Sequence, residues 1–287
     1  MRMQNTLPRR RYVWSLAGIL VVSAIGLTYA NYQAAGAVVH VDSLVRGLMV
    51  GILAQLVDGA LGMAYGVTAS TFLLATGAAP IVVATSVHVA KFFASGASAL
   101  SHWRLGNVDR PLFVRLLVPG IVGAIIGVYI LTSIDGHVLR PIINGYLLVM
   151  GIWIIIRAFW QVTMQSTMRG GVLIVGLIGA FANAIGGGGW GPIVTTSMMG
   201  TGREPRYVVG TVNTVEFFVE MVSGIALILV VNIAAWEAVT GLIFGGMLMA
   251  PFAAWVVGRI PRRWLMILVG SLITALSAWS LLSLYLL

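Results

Sequence analysis

The chain alternates between long apolar runs and short polar links, and this pattern predicts a bundle of membrane-spanning helices. A transmembrane helix needs roughly 20 consecutive, mostly apolar residues. Runs of about that length lie at 13–30, 81–101, 112–133, 139–157, 207–230, 238–257 and 264–285. Two further apolar segments, 44–76 and 172–200, are too long for one span. Glycine-rich stretches interrupt both of them, after Asp58 and after Asn183, so we expect two broken helices.

The two broken segments belong to an internal repeat with an offset of 125 positions. The matched glycines and prolines pair as Gly51–Gly176, Gly62–Gly187, Gly66–Gly191, Gly77–Gly202 and Pro80–Pro205. The matched polar and aromatic positions pair as Asp58–Asn183, Tyr65–Trp190, His88–Asn213 and Lys91–Glu216. A repeat with a glycine-interrupted helix in each half is typical of secondary transporters.

The composition excludes a water-soluble protein. Hydrophobic residues make up 59% of the 287 residues and charged residues 9%, with a mean hydropathy of +1.00, whereas soluble domains carry about 25% charged residues. The chain has no cysteine, which rules out disulfides and thiolate chemistry. The four histidines show no metal-ligand spacing, so we expect no metal and no cofactor. The net charge of +9 comes from arginines in short links, which does not indicate nucleic-acid binding.

The basic links set the direction of the spans. If the basic N-terminus faces the cytoplasm, fourteen of the 17 basic residues lie on cytoplasmic links, Arg46 and Arg140 lie outside, and Lys91 lies within the membrane. This arrangement requires each broken segment to be a re-entrant hairpin, which a bilayer tolerates only where protein or a watery cavity surrounds it. The alternative, one span per broken segment, makes the repeats parallel and moves several arginines outside. The charge distribution favours the inverted arrangement.

The predicted fold is therefore an all-α polytopic membrane protein of two inverted repeats with one extra N-terminal helix. Each repeat is a re-entrant broken-helix hairpin plus three transmembrane helices. Residues 1–43 hold the cytoplasmic basic N-terminus and the first transmembrane helix, 44–160 form repeat 1, 161–170 form a cytoplasmic link, and 171–287 form repeat 2. The first span is also compatible with a cleaved signal peptide, but its apolar run is long for one, so a retained helix is favoured.

Ionisable side chains in the middle of spans are costly and usually functional. Lys91 lies three residues after His88, and Glu216 lies three residues after Asn213, with Glu220 one turn further along. Because Lys91 and Glu216 are repeat equivalents, inverted symmetry would bring them together. We expect Glu216 and Glu220 to act as coupling residues. The alternatives are a buried ion pair with only a structural role and a histidine that is simply satisfied in the core.

The broken helices are the expected anion site, because interrupted helices leave N–H dipoles that hold anions. Gly186 to Gly191 matches GxGxxG, but no strand precedes it, so we expect no dinucleotide there. Asp58 and Asn183 are equally suited to capping the hairpin arms, and the matching aromatic residues to core packing. The expected substrate-binding residues are Gln55, Asp58, Gly62, Tyr65, Gly66, His88, Lys91, Asn183, Gly187, Gly188, Gly189, Trp190 and Asn213.

Four motifs resemble those of the sulfite exporter TauE/SafE family of anion transporters: DGALGMAYGVTAS, SVHVAKFFASGASALSHWRLGNVD, IGGGGWGPIVTTSMMGTGREPR and GTVNTVEFFVEMVSG. The resemblance extends over both repeats, from about residue 47 to residue 258. It implies a bacterial inner-membrane exporter of small sulfur oxyanions or organosulfonates such as sulfite or sulfoacetate. It also implies transport driven by protons or by the membrane potential, without ATP.

We therefore expect a secondary transporter that works by alternating access, and not an enzyme. An anion channel is the alternative, because the same hairpins can enclose a pore. An intramembrane enzyme is less favoured, because no paired carboxylates or histidine metal cluster stand out. The expected partners are a small anionic substrate and the lipid bilayer, without nucleic acid, and no feature of the sequence indicates an oligomer. The expected localisation is the inner membrane, with a cytoplasmic N-terminus and an external C-terminus.

Overall fold

The computed structural model describes Gly26 and residues 40–61, 63–159, 171–199, 203–230, 236–257 and 262–286. Within these ranges every element is helical. The helices are α1 (Val41–Leu61), α2 (Tyr65–Ala75), α3 (Pro80–Arg104), α4 (Arg110–Ser133), α5 (Gly136–Phe159), α6 (Gly171–Gly186), a π-helical segment (Trp190–Thr195) continued by α7 (Thr196–Met199), α8 (Pro205–Val230), α9 (Trp236–Val257) and α10 (Arg262–Leu286).

Five of the described helices are long and apolar enough to cross a membrane, which confirms the prediction of an all-helical membrane protein. They cover Pro80–Arg104, Arg110–Ser133, Gly136–Phe159, Arg206–Val230 and Arg263–Leu284. The predicted span 238–257 lies on α9, of which the part Trp236–Met249 is a shorter apolar helix. The predicted span 13–30 lies outside the described residues, apart from Gly26.

Both over-long apolar segments are broken in the structure. The first is interrupted between α1 and α2, and the second between α6 and the π-helical segment. Gly187 lies in the second break with a φ of 72°, a left-handed conformation that a residue with a Cβ atom rarely adopts. Helix α6 therefore ends at Gly186, and a new, short helical segment begins at Trp190.

The first arm of each broken segment packs against a long helix of the other repeat. Helix α1 lies parallel to α9, and Gly47 and Gly51 of α1 contact the backbone at Ala238 and Leu242. Helix α6 packs on α4 in the equivalent way, with Gly123 against the backbone of α6. Small residues at helix contacts let two backbones approach closely in a membrane. These contacts hold the broken segments in the interior of the bundle.

Helices α3 and α8, which occupy equivalent positions in the two repeats, pack against each other in the centre. The rings of Phe92 and Phe217 stack with centroids 5.1 Å apart, and the Asn213 amide donates a hydrogen bond of 3.0 Å to the Ser98 hydroxyl. Since residue numbers rise along α3 as they fall along α8, the two helices run antiparallel. Positions that are 125 residues apart, such as Phe92 and Phe217, therefore meet at the middle of this contact.

The outer surface is apolar, as a lipid-facing surface must be. Large hydrophobic side chains are exposed along α4, namely Val114, Val118, Val122, Ile125 and Tyr129. The buried polar side chains lie inside the bundle, and they are concentrated where α3 and α8 meet the breaks.

Candidate anion site between the two helix breaks

The two helix breaks meet in the interior of the protein, backbone against backbone. Gly66, at the start of α2, lies against the carbonyl group of Gly187. A Cβ atom at Gly188 would overlap the backbone of Val67, and a Cβ atom at Gly191 would overlap the backbone of Met63. Only glycine leaves room for this crossing. Gly66, Gly187 and Gly188, predicted site residues, therefore lie at the crossing.

Asp58 and Asn183 bridge their breaks at equivalent positions. The Asp58 carboxylate accepts hydrogen bonds from the backbone N–H groups of Ala64 (3.0 Å) and Tyr65 (3.1 Å). The Asn183 side-chain oxygen lies 3.5 Å from the backbone nitrogen of Trp190. Each side chain thus contacts N–H groups at the start of the second arm, where a helix leaves N–H groups unpaired. Both side chains therefore act as caps of the second arm, and Asp58 also lines the cavity that is described next.

A partly enclosed cavity of about 180 Å³ lies beside the crossing. Its walls include eight of the predicted site residues, Gln55, Asp58, Tyr65, Gly66, Lys91, Gly188, Asn213 and Glu216. They also include Gly191, a glycine of the predicted second break, and four residues that were not predicted, Met63, Ala94, Ser95 and Ser98. Charged, amide, hydroxyl and backbone groups therefore face one small space. Such a space suits a small polar solute.

Ser95 and Ser98 could have been found from helical spacing. They lie four and seven residues after Lys91 on α3, and residues at these intervals share one face of a helix. Ser95 is also the repeat equivalent of Glu220. Serine carries little cost in a transmembrane helix, so unlike a charge it does not stand out in an apolar run.

The Lys91 ammonium is the centre of a buried ionic network. Its Nζ atom lies 2.8 Å from a Glu216 oxygen, 2.6 Å from Glu220 Oε1 and 3.1 Å from the Asn183 side-chain oxygen. An ammonium group has three N–H donors, so these acceptors use all of them. The Lys91 side chain is 8% exposed and that of Glu216 15%, and both face the cavity. A ligand in the cavity therefore meets this charge pair at its edge.

His88 and Glu220 lie behind that pair, with fully buried side chains. The Nδ1 atom of His88 is 2.5 Å from Glu220 Oε2, and its Nε2 atom is 3.2 Å from the carbonyl oxygen of Ala184. The Asn183 amide donates to Glu220 Oε1 at 2.9 Å. His88 and Asn183 are thus part of the network but not of the cavity wall. In the part of the chain that the structure describes, no group of three metal-ligating side chains could hold a metal ion.

Three further predicted residues lie away from the cavity wall. Trp190 is fully buried and donates from its indole N–H to the carbonyl oxygen of Val212 at 3.1 Å. Gly187 contacts the Ser70 hydroxyl, and Gly189 packs against Asn183 and Gly179. These residues shape the second break without facing the cavity. The remaining predicted residue, Gly62, lies outside the described residues.

The cavity lies towards one end of the α3–α8 pair. Ser95 and Ser98 follow Lys91 in the direction of Arg104, and Asn213 precedes Glu216 in the direction of Pro205. Ala94, on the same stretch of α3, is exposed. On the other side of Lys91 the two helices are tightly packed, and Val83, Val87, Ser223 and Leu227 are buried. Among the described residues, the charged site is therefore open at one end and closed at the other.

Comparisons with known proteins find a transporter family and a related transporter. The profile of the family described as sulfite exporter TauE/SafE matches residues 47–280. The probable membrane transporter protein YtnM of Bacillus subtilis (strain 168) is 38% identical over 243 residues, which cover 82% of this chain and 81% of that protein. No solved structure matches the chain.

Proposed function

Because this membrane protein belongs to the sulfite exporter TauE/SafE family, we propose that it is a secondary transporter that exports small sulfur oxyanions or organosulfonates by alternating access. Membership of a transporter family points to translocation rather than to an enzymatic reaction. Sulfite and sulfoacetate represent the two substrate classes. The binding site is the cavity beside the crossed breaks together with the network behind it, and these two regions contain eleven of the predicted site residues.

One observation carries this proposal: a buried lysine faces a small polar cavity between two helix breaks. The Lys91 ammonium provides positive charge, the amide groups of Gln55 and Asn213 provide N–H donors, and Gly188 brings backbone close to the ligand. Sulfonate and sulfite oxygens are acceptors that such donors satisfy. Since Glu216 already shares the ammonium, an anion must compete with the Glu216 carboxylate for Lys91.

The repeat architecture supports alternating access. Repeat 1 (44–160) and repeat 2 (171–287) are proposed to be inverted, joined by a cytoplasmic link (161–170) and preceded by the N-terminal segment (1–43). The antiparallel packing of the equivalent helices α3 and α8 supports this, because an axis in the membrane plane relates inverted repeats. With the N-terminus in the cytoplasm and the C-terminus outside the inner membrane, the cavity opens towards the cytoplasm.

The closed end of the cavity favours a carrier over a channel. On the side of Lys91 away from the cavity, the path is blocked by the glycine crossing and by the buried residues of α3 and α8. If each repeat adopted the conformation of the other, the closed side would open and the side that holds the cavity would close. Energy comes from protons or from the membrane potential, with Glu216 or Glu220 taking up and releasing a proton as access alternates.

Uptake into sealed everted membrane vesicles tests this function. Vesicles from cells that express the protein would be given labelled sulfite, thiosulfate, sulfoacetate and taurine, with vesicles lacking the protein as the control. We expect saturable accumulation of at least one of the three anions and less of taurine, which carries no net charge. Equal rates for all four solutes, or rates equal to the control, would contradict the proposal.

A further inference from the structure

The hydrogen bonds around His88 locate a proton. Its Nε2 atom faces the carbonyl oxygen of Ala184 at 3.2 Å, and a carbonyl oxygen can only accept, so Nε2 carries hydrogen. Its Nδ1 atom faces Glu220 Oε2 at 2.5 Å. A neutral imidazole with hydrogen on Nε2 has only a lone pair at Nδ1, and an ionised carboxylate has no hydrogen. One further proton must therefore lie between Nδ1 and Oε2.

The same proton balances the charge of the network. Glu220 Oε1 accepts from Lys91 Nζ and from the Asn183 amide, while Glu216 pairs with Lys91. With one proton on the His88–Glu220 pair, one positive and one negative charge remain, on Lys91 and Glu216. Without it, the fully buried pair adds an uncompensated negative charge, which is costly in a low-dielectric interior.

Other titratable groups surround the network from the neighbouring helices. Asp58 of α1 lies within electrostatic range of Lys91 and Glu216. The hydroxyl groups of Tyr65 of α2 and Tyr146 of α5 lie within range of Lys91. The Asp58 carboxylate accepts two backbone N–H groups, which stabilise its charge in place. None of these groups lies between His88 Nδ1 and Glu220 Oε2.

The two glutamates are therefore not equivalent. Glu216 is partly exposed to the cavity and makes an ion pair with Lys91, so an incoming anion can replace it. Glu220 is sealed from the cavity and has partners on both oxygens. A coupling proton must be shielded from solvent until the protein changes conformation, because otherwise it leaks. The described conformation seals Glu220 in this way and leaves Glu216 at the cavity.

We propose that the His88–Glu220 pair carries the coupling proton, one per transport cycle, and that Glu216 is the internal anion that the substrate displaces from Lys91. This inference rests on the proposed function and assigns separate roles to residues of its site. The proton moves between Glu220 Oε2 and His88 Nδ1 without a net change in the pair. When α3 and α8 separate, it passes to water, leaving neutral His88 and the Glu220 carboxylate paired with Lys91.

The ratio of proton flux to anion flux in proteoliposomes tests the assignment. The full chain would transport sulfoacetate, whose acid groups both stay ionised at neutral pH, so the substrate carries no proton. Valinomycin and potassium would hold the membrane potential at zero, and a trapped pH dye would report protons. We expect a constant ratio in the wild type. His88→Gln and Glu220→Gln should lower the ratio at least tenfold, and Glu216→Gln should keep it while lowering the substrate concentration at half-maximal rate.

Two variants are matched controls. His102→Gln removes a histidine of the same helix that lies outside the network, and Glu204→Gln removes an acid that pairs with Arg206 at the surface. Both should keep the wild-type ratio. A variant that does not elute as a single peak from size exclusion would be replaced by His88→Asn or Glu220→Met, for which the same loss is expected.

Nitrogen NMR of histidine-labelled protein provides a readout that does not depend on transport. The His88 signals, assigned as those missing from His88→Gln, should show a protonated Nε2 and an Nδ1 atom in a strong hydrogen bond. Glu220→Gln should remove the Nδ1 signature, and Glu216→Gln should not.

Three possible results distinguish a failure of this inference from a failure of the proposed function. A wild type that moves sulfoacetate without protons would overturn this inference and leave the transport function intact. Loss of proton flux per anion in Glu216→Gln, with retention in Glu220→Gln, would assign the proton to the other glutamate. A wild type that moves none of the anions tested would instead refute the proposed function itself.

Discussion

Replacing Lys91 by methionine should destabilise the protein by several kcal/mol. Methionine keeps the length of the side chain but removes the ammonium that serves Glu216, Glu220 and Asn183 at distances of 2.6 to 3.1 Å. Removing one partner of a buried ion pair costs about 3–5 kcal/mol, because the other charge is left unpaired. For a protein of this size, that loss corresponds to a fall in apparent Tm on the order of 10 °C. The lost positive charge should also weaken anion binding.

Thermal unfolding in detergent, followed by the fluorescence of the nine tryptophans, measures this effect. The matched control is Arg203→Met, which breaks the Arg203–Asp109 ion pair, whose arginine side chain is 38% exposed. Exposed pairs contribute about 0–1 kcal/mol, so the control should stay close to the wild type. The double variant Lys91→Met/Glu216→Gln removes one of the unpaired carboxylates and should therefore regain part of the thermal stability that Lys91→Met loses.

The reasoning would be refuted if Lys91→Met unfolded at the wild-type temperature. It would also fail if Arg203→Met were destabilised as strongly, because burial would then not be the cause. Additive effects in the double variant would show that Lys91 and Glu216 are not energetically coupled.

Three other predictions follow from the site and the topology. Gly188→Leu should abolish transport while the protein still inserts into the membrane, because its Cβ atom would overlap Val67. The control is Gly145→Leu, which has open space around its Cβ position. Normal uptake by Gly188→Leu would show that the breaks serve only for packing. Single cysteines at Ala79 and Thr201 should react with an impermeant thiol reagent from outside and inside the cell respectively, and labelling from one side only would rule out inverted repeats. Raising substrate concentration should protect a cysteine at Ser98 from modification, and an unprotected Ser98→Cys would place the anion elsewhere.

The helices and the breaks could be predicted because each has a local signal. Apolar runs give the spans, and glycines with an aspartate or asparagine mark the breaks. The repeat alone gave the correspondence of Lys91 with Glu216, and these two residues form an ion pair in the structure. Phe92 and Phe217, which are repeat equivalents as well, stack one residue further along, so equivalent positions meet where α3 and α8 are in contact.

The partner of His88 does not follow from repeat equivalence alone. Its equivalent is Asn213, yet its Nδ1 atom faces Glu220, because α3 and α8 are antiparallel and meet at Phe92 and Phe217. A residue one turn before Phe92 therefore lies opposite a residue one turn after Phe217. Trp190 and its repeat equivalent also have different surroundings. It matches Tyr65 in the repeat, but it is buried beside Gly120, which leaves room for its ring. Symmetry of sequence therefore locates the site but does not decide which side chains face the cavity.

Counterflow in proteoliposomes tests the central claim, a carrier with a site that opens to one side at a time, most directly. Vesicles that hold the purified chain would be loaded with unlabelled sulfoacetate, clamped at zero membrane potential, and diluted into a trace of labelled sulfoacetate. A carrier predicts a transient accumulation of label above the outside concentration, which saturates with internal substrate and is weakened in Lys91→Met. Equilibration without any overshoot, at a rate that rises linearly with concentration, would show a channel and contradict the account.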